Sequence, residues 1–236
     1  MTYERTRSAN GSGDARQGHN GAEARIFYPS LSLPPQPDSA MMTIGNPSPP
    51  LAGALAFLGD RLHPTIEEKT KCEIGYSWGA CILSSLVARD VLRGLGFTAD
   101  EAPVIFRIRK RCGDRLNKEL FIGDPSHSNA PRMWNAHMVV LVESLLVDFT
   151  LAQAWRWEWP HLPRMLAATV CKDGGSLDGK FPRLLQLGDD PDEVEASWFH
   201  HPAKTDWKAV PDARPRFRKG AVRKLVKECR RRGLIR

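Results

Sequence analysis

Residues 78–97 read Trp-Gly-Ala-Cys-Ile-Leu-Ser-Ser-Leu-Val-Ala-Arg-Asp-Val-Leu-Arg-Gly-Leu-Gly-Phe. Ser84, Val87, Ala88, Val91, Leu92 and Leu95 recur at helical spacing along one stripe, with Ser85, Arg89 and Arg93 opposite. Ile82, Leu83 and Leu86 widen the apolar arc in the first two turns. This predicts one helix, buried on most sides where it begins. Ser77 is the expected N-cap, and Gly96 fits a left-handed position just past the last turn. Cys81 then falls in the first turn or just beyond it. There the unpaired N–H groups and the positive end of the helix dipole favour thiolate over thiol. A cysteine so placed is by itself only a small buried hydrophobe, because reactivity also needs a base.

A base is available downstream. Val104–Arg109 alternates as a strand, with Val104, Phe106 and Ile108 on one side, and Leu120–Gly123 reads as a second short strand. A loop over 124–129 follows. Ala136–Val142 and Leu145–Thr150 then form the clearest strand pair in the chain, joined tightly through Glu143 and Ser144. With a two-residue loop, facing residues have numbers summing to 287, so His137 faces Thr150 and Val139 faces Asp148. Side chains alternate at period two, which puts His137 and Asp148 on one face as diagonal neighbours, Cα atoms roughly 7–8 Å apart. A slip of one residue would send them to opposite faces.

A carboxylate that orients a histidine, beside a cysteine at a helix start, is what thiol catalysis requires. The thiolate attacks a carbonyl, the histidine moves the proton, and the acid holds the ring and stabilises its cation. The Cys81 N–H is a natural donor to the developing oxyanion. The order WGACILSSLVARDVLRGLGF, NAHMVVLV, LLVDFT resembles the transglutaminase-like branch of the papain-like cysteine enzymes. The likeness covers Trp78 to Thr150, under a third of the chain. It implies an α+β fold with the catalytic helix packed on an antiparallel sheet. It also implies a Cys81–His137–Asp148 triad acting on a peptide or other amide, as protease, deamidase, amidase or acyl transferase, without metal or organic cofactor. The papain-type Gln before the cysteine is missing, since Gly75 and Tyr76 occupy that neighbourhood. Trp78 and Trp134 offer indole N–H groups as replacement oxyanion donors.

Upstream, residues 1–49 are rich in Ser, Gly, Asn and Pro and are expected to be a disordered arm. Leu51–Leu62 reads as a short amphipathic helix stopped by Pro64. Downstream come an aromatic run in which Trp155, Trp157 and Trp159 alternate, a Gly/Asp loop around Gly174 and Gly175, a strand over Phe181–Leu187 and an acidic turn over Asp189–Glu195. Short strands or turns follow to Asp212, and Lys219–Arg232 reads as a basic helix with Val222, Leu225, Val226 and Cys229 as its apolar stripe. The expected division is an arm (1–49), a catalytic domain (50–212) and a basic tail (213–236).

Composition narrows the classes. The chain has 236 residues, 42% of them hydrophobic, and no apolar run near the ~18 residues of a membrane span. Its first thirty residues hold no signal-peptide core, and its five cysteines show no C-x-x-C pair, so a cytoplasmic protein without structural disulfides is expected. Cys72 stands nine residues before Cys81, a spacing that suits neither zinc nor a redox pair. His200 and His201 have no ligand-type residue at metal spacing, and His127 and His161 have no readable partner. There is no phosphate loop and no dinucleotide fingerprint. Net charge is +7, but residues 214–236 hold eleven Lys/Arg and one acid, leaving a net −3 on the rest. That tail suits a polyanion such as nucleic acid. The rival expectation is therefore a non-catalytic polyanion-binding module on the same fold.

Overall fold

The computed structural model describes residues 41–70, 80–112, 115–123, 134, 136–155, 159, 162–169, 185–186 and 194–235. Pro34–Arg236 forms one contact unit that holds every element below, and the second unit, Met1–Leu33, lies outside the described residues. The fold is α+β. In chain order the elements are β1 (Met41–Ile44), α1 (Pro49–Thr70), α2 (Ala80–Gly94), β2 (Ala99–Cys112), β3 (Arg115–Ile122), β4 (His137–Val142), β5 (Leu145–Asp148), β6 (Met165–Thr169), β7 (Leu185–Gln186), β8 (Val194–His200) and α3 (Pro215–Arg231). The strands form one sheet in the order β1-β6-β5-β4-β2-β8-β7, with β3 also paired to β2. All pairs are antiparallel except β1 with β6.

The sheet buries both faces, which explains why β4 and β5 read as almost continuous apolar runs. Val140, Val142, Leu145, Val147, Met165 and Ala167 point to one side, into a core shared with all three helices. Val139, Leu146, Leu166 and Ala168 point to the other, where Leu151, Trp159 and Leu162 cover them with Phe106 and Trp198. Trp159 anchors that cover through its indole N–H, which donates to the Ala154 carbonyl at 2.7 Å.

Helix α2 runs as its periodicity demands and ends in a Schellman motif. Gly96 has φ +96°, and the Phe97 N–H closes on the Leu92 carbonyl at 3.0 Å. The sequence placed Ser85 and Arg89 on a solvent side, yet both are buried. Ser85 Oγ donates to the Met138 carbonyl at 2.8 Å. Arg89 pairs with Asp90 at 2.6 Å and with Glu101 at 2.5 Å. The sheet lies against one side of the helix and α3 against another.

Four sequence expectations need correction. Helix α1 does not stop at Pro64 but continues to Thr70, because Leu62, Thr65 and Ile66 carry its buried stripe past the proline. Residues 41–49 do not belong to a disordered arm, since Met41–Ile44 pairs with the edge of β6 as β1 and Pro49 opens α1. The basic helix expected over Lys219–Arg232 spans Pro215–Arg231 and is not a region separate from the domain. Ala221, Leu225 and Cys229 are fully buried against α1 and α2, in the same unit as the sheet. The second hairpin strand stops at Asp148 rather than Thr150, because Asp148 Oδ1 accepts the Thr150 N–H at 3.0 Å and turns the chain into a 3-10 helix over Leu151–Ala154. Ser77, Cys72, Cys171, His127, His161, Trp157, the loops at 124–129 and 174–175, and most of the strand expected over 181–187 and of the turn expected over 189–195 lie outside the described residues. Val194 and Glu195, at the end of that turn, open β8 instead. No helix among the described residues is long and apolar enough to cross a membrane.

Candidate active site

Pairing of β4 with β5 follows the register derived from the sequence: Val140 faces Val147, Leu141 faces Leu146 and Val142 faces Leu145. Glu143 takes the strained corner of the turn at φ +53°. That register leaves His137 and Asp148 on the face away from the helices, at the end of the hairpin far from its turn. The diagonal is closed by a hydrogen bond of 2.7 Å from His137 Nε2 to Asp148 Oδ2. His137 itself lies opposite Val104 of β2, not Thr150, because β5 has already ended.

Asp148 is completely enclosed and fully used. Oδ1 takes the Thr150 amide, while Oδ2 takes both His137 and the indole N–H of Trp198 at 3.0 Å. Phe106 packs its ring against both His137 and Trp198, with centroids 5.7 Å and 5.0 Å away. Trp198 went unrecognised in the sequence as part of the site. The signal was there as period-two alternation of Val194, Ala196 and Trp198, but only the crossing of β8 over β2 aims that indole at Asp148.

Cys81 is the second residue of α2 and 2% exposed, in a cluster with Ile82, Leu86, Met138 and Trp207 against which Trp134 packs. The sulfur acts on His137. Burial alone would make the ring less basic, but the charge and hydrogen bond of Asp148, followed by those of Cys81, raise it from 6.5 to about 10. Nδ1, the nitrogen not bound to Asp148, makes no hydrogen bond among the described residues. Cys81 thus lies within reach of the His137 ring, which Asp148 holds through its other nitrogen. Trp134 has a buried indole N–H without a partner among the described residues. Trp78 lies outside them. His200 closes β8 opposite Val104, and the described residues contain no group of three metal-ligating side chains.

No family model matches the chain, and no curated protein matches it. A solved crystal structure described only by a genomics label is similar at 12% identity and a TM-score of 0.42, over 71% of this chain and 74% of that one.

Proposed function

We propose that the protein is a thiol-dependent amide hydrolase or acyl transferase, with Cys81 as nucleophile, His137 as proton carrier and Asp148 as orienter. The supporting observation is the buried series in which Asp148 holds Nε2 of a histidine whose basicity Cys81 also raises. A protonated ring supplies the counter-charge a thiolate needs. The thiolate attacks the amide carbonyl, and His137 passes its proton to the departing amine. The neutral ring then takes a proton from water, or from an acceptor amine, to release the acyl group. Burial of all three groups keeps bulk water from screening these interactions. The Cys81 N–H, in the first turn of α2, and the Trp134 indole, without a partner among the described residues, would receive the oxyanion. A helix presenting the thiol to a sheet that carries histidine and acid fits the papain-like, transglutaminase-like plan.

The test is thiol labelling followed by turnover. Iodoacetamide near neutral pH should modify Cys81 well ahead of Cys229, whose thiol burial pushes up to about 11. His137→Ala should slow that labelling, and Cys81→Ala should abolish turnover across a panel of peptide and acyl-amide substrates. Equal, sluggish labelling of both cysteines would exclude a catalytic thiol and favour the rival binding module.

A further inference from the structure

The outward side of α3 is the most strongly charged surface among the described elements. Several of its cations are already engaged. Arg218 binds Asp90 and the Ala213 carbonyl, Lys224 binds Glu68, and Arg230 donates to the Gly94 carbonyl at 2.9 Å. Lys219, Arg223 and Lys227 are exposed and have no acidic partner among the described residues. They stand four residues apart, so they fall within an arc of about 80° and rise about 6 Å per step. Like charges at this spacing repel one another, and that cost is relieved only when an anion lies along them. With Arg230 they flank a groove of about 570 Å³ floored by Val222 and Val226. The acid in its wall, Asp90, is already neutralised by Arg89 and Arg218.

We propose that this face of α3 docks the phosphate backbone of duplex nucleic acid, without reading sequence. A regularly spaced row of cations matches a regular row of phosphates. A bilayer fits less well, because Ala221, Leu225 and Cys229 turn inward and leave α3 no large apolar edge to insert along the row. Single strands fit less well too, because no aromatic side chain lines the groove for bases to stack on.

The experiment uses the full chain, two fluorescein-labelled 20-bp DNA duplexes of unrelated sequence, and anisotropy titrations from 50 to 200 mM NaCl. Both duplexes should bind equally. The triple change Lys219→Gln, Arg223→Gln, Lys227→Gln should weaken both alike and reduce the log–log salt slope by about 3. The charge-keeping set Lys219→Arg, Arg223→Lys, Lys227→Arg should bind like the parent, and no variant should melt below it. A salt slope unchanged by the triple Gln change would overturn the proposal. So would a strong preference between the duplexes, or binding to phosphatidylserine-containing vesicles but not to DNA.

Discussion

Asp148 holds the site together one bond at a time. It has no exposure, and three donors share its two oxygens. A buried carboxylate is tolerated only when so paired, and each hydrogen bond to a charged group is worth about 1.5–3 kcal/mol. Trp198→Phe removes one of those donors while keeping a large apolar ring against Phe106. It should lower stability by about that amount in urea titration and slow alkylation of Cys81, because the carboxylate loses one of the two groups that fix Oδ2. Unchanged stability would mean that the indole bond adds nothing. At this scale the sequence was legible where chemistry follows from parity. His137 and Asp148 could be paired because their hairpin is local and its alternation strict. Trp198 could not, because its partner is set by a strand that returns some fifty residues later.

Elements were legible where their own periodicity governs them and illegible where a neighbour does. The length of α2 follows from its stripe and the glycine at its end. Helix α1 was cut short at Pro64 because proline removes a helical hydrogen bond and crowds the preceding turn. What carries the helix through is burial. Leu62 and Ile66 are completely enclosed on either side of the proline, and Thr65 is nearly so, while Pro64 itself faces solvent. The proline is therefore a local cost outweighed by packing. Pro64→Ala should restore the missing N–H and stabilise the protein by about 1–3 kcal/mol, read as a higher urea midpoint with an unchanged slope. A loss of stability would mean that α1 is bent at this point and needs the proline. Helix α3 was recognisable as amphipathic through its stripe of Val222, Leu225, Val226 and Cys229, but the surface it docks on was not. The docking rests on Gly94, where a Cβ would come within 2.9 Å of Val226 Cγ2, and on the Arg218–Asp90 pair at 2.6 Å.

The whole molecule adds what no single stretch contains. Its sheet order joins β2 to β8 and places β1 beside β6, pairings across long separations that periodicity cannot announce. Two buried histidines in that framework are perturbed in opposite senses. Burial, with help from the charge of Arg164, lowers His63 from 6.5 to about 4. His137 is raised to about 10 because the attraction of Asp148 and Cys81 outweighs burial. Between pH 4 and 6.5 the unfolded chain binds a proton at His63 that the native state refuses, so stability rises with pH. Between 6.5 and 10 the native state keeps a proton on His137 that the unfolded chain has released, so the stability this residue supplies is fully present below 6.5 and is lost as pH climbs toward 10. Each contribution adds a limb whose limiting slope is about 1.4 kcal/mol per pH unit. Urea midpoints measured from pH 4 to 10 on the parent and its variants isolate the two contributions. His63→Gln should flatten the acid limb and leave the alkaline one, and His137→Gln should do the reverse. An alkaline limb that survives His137→Gln unaltered would show that Asp148 does not hold the ring as a cation.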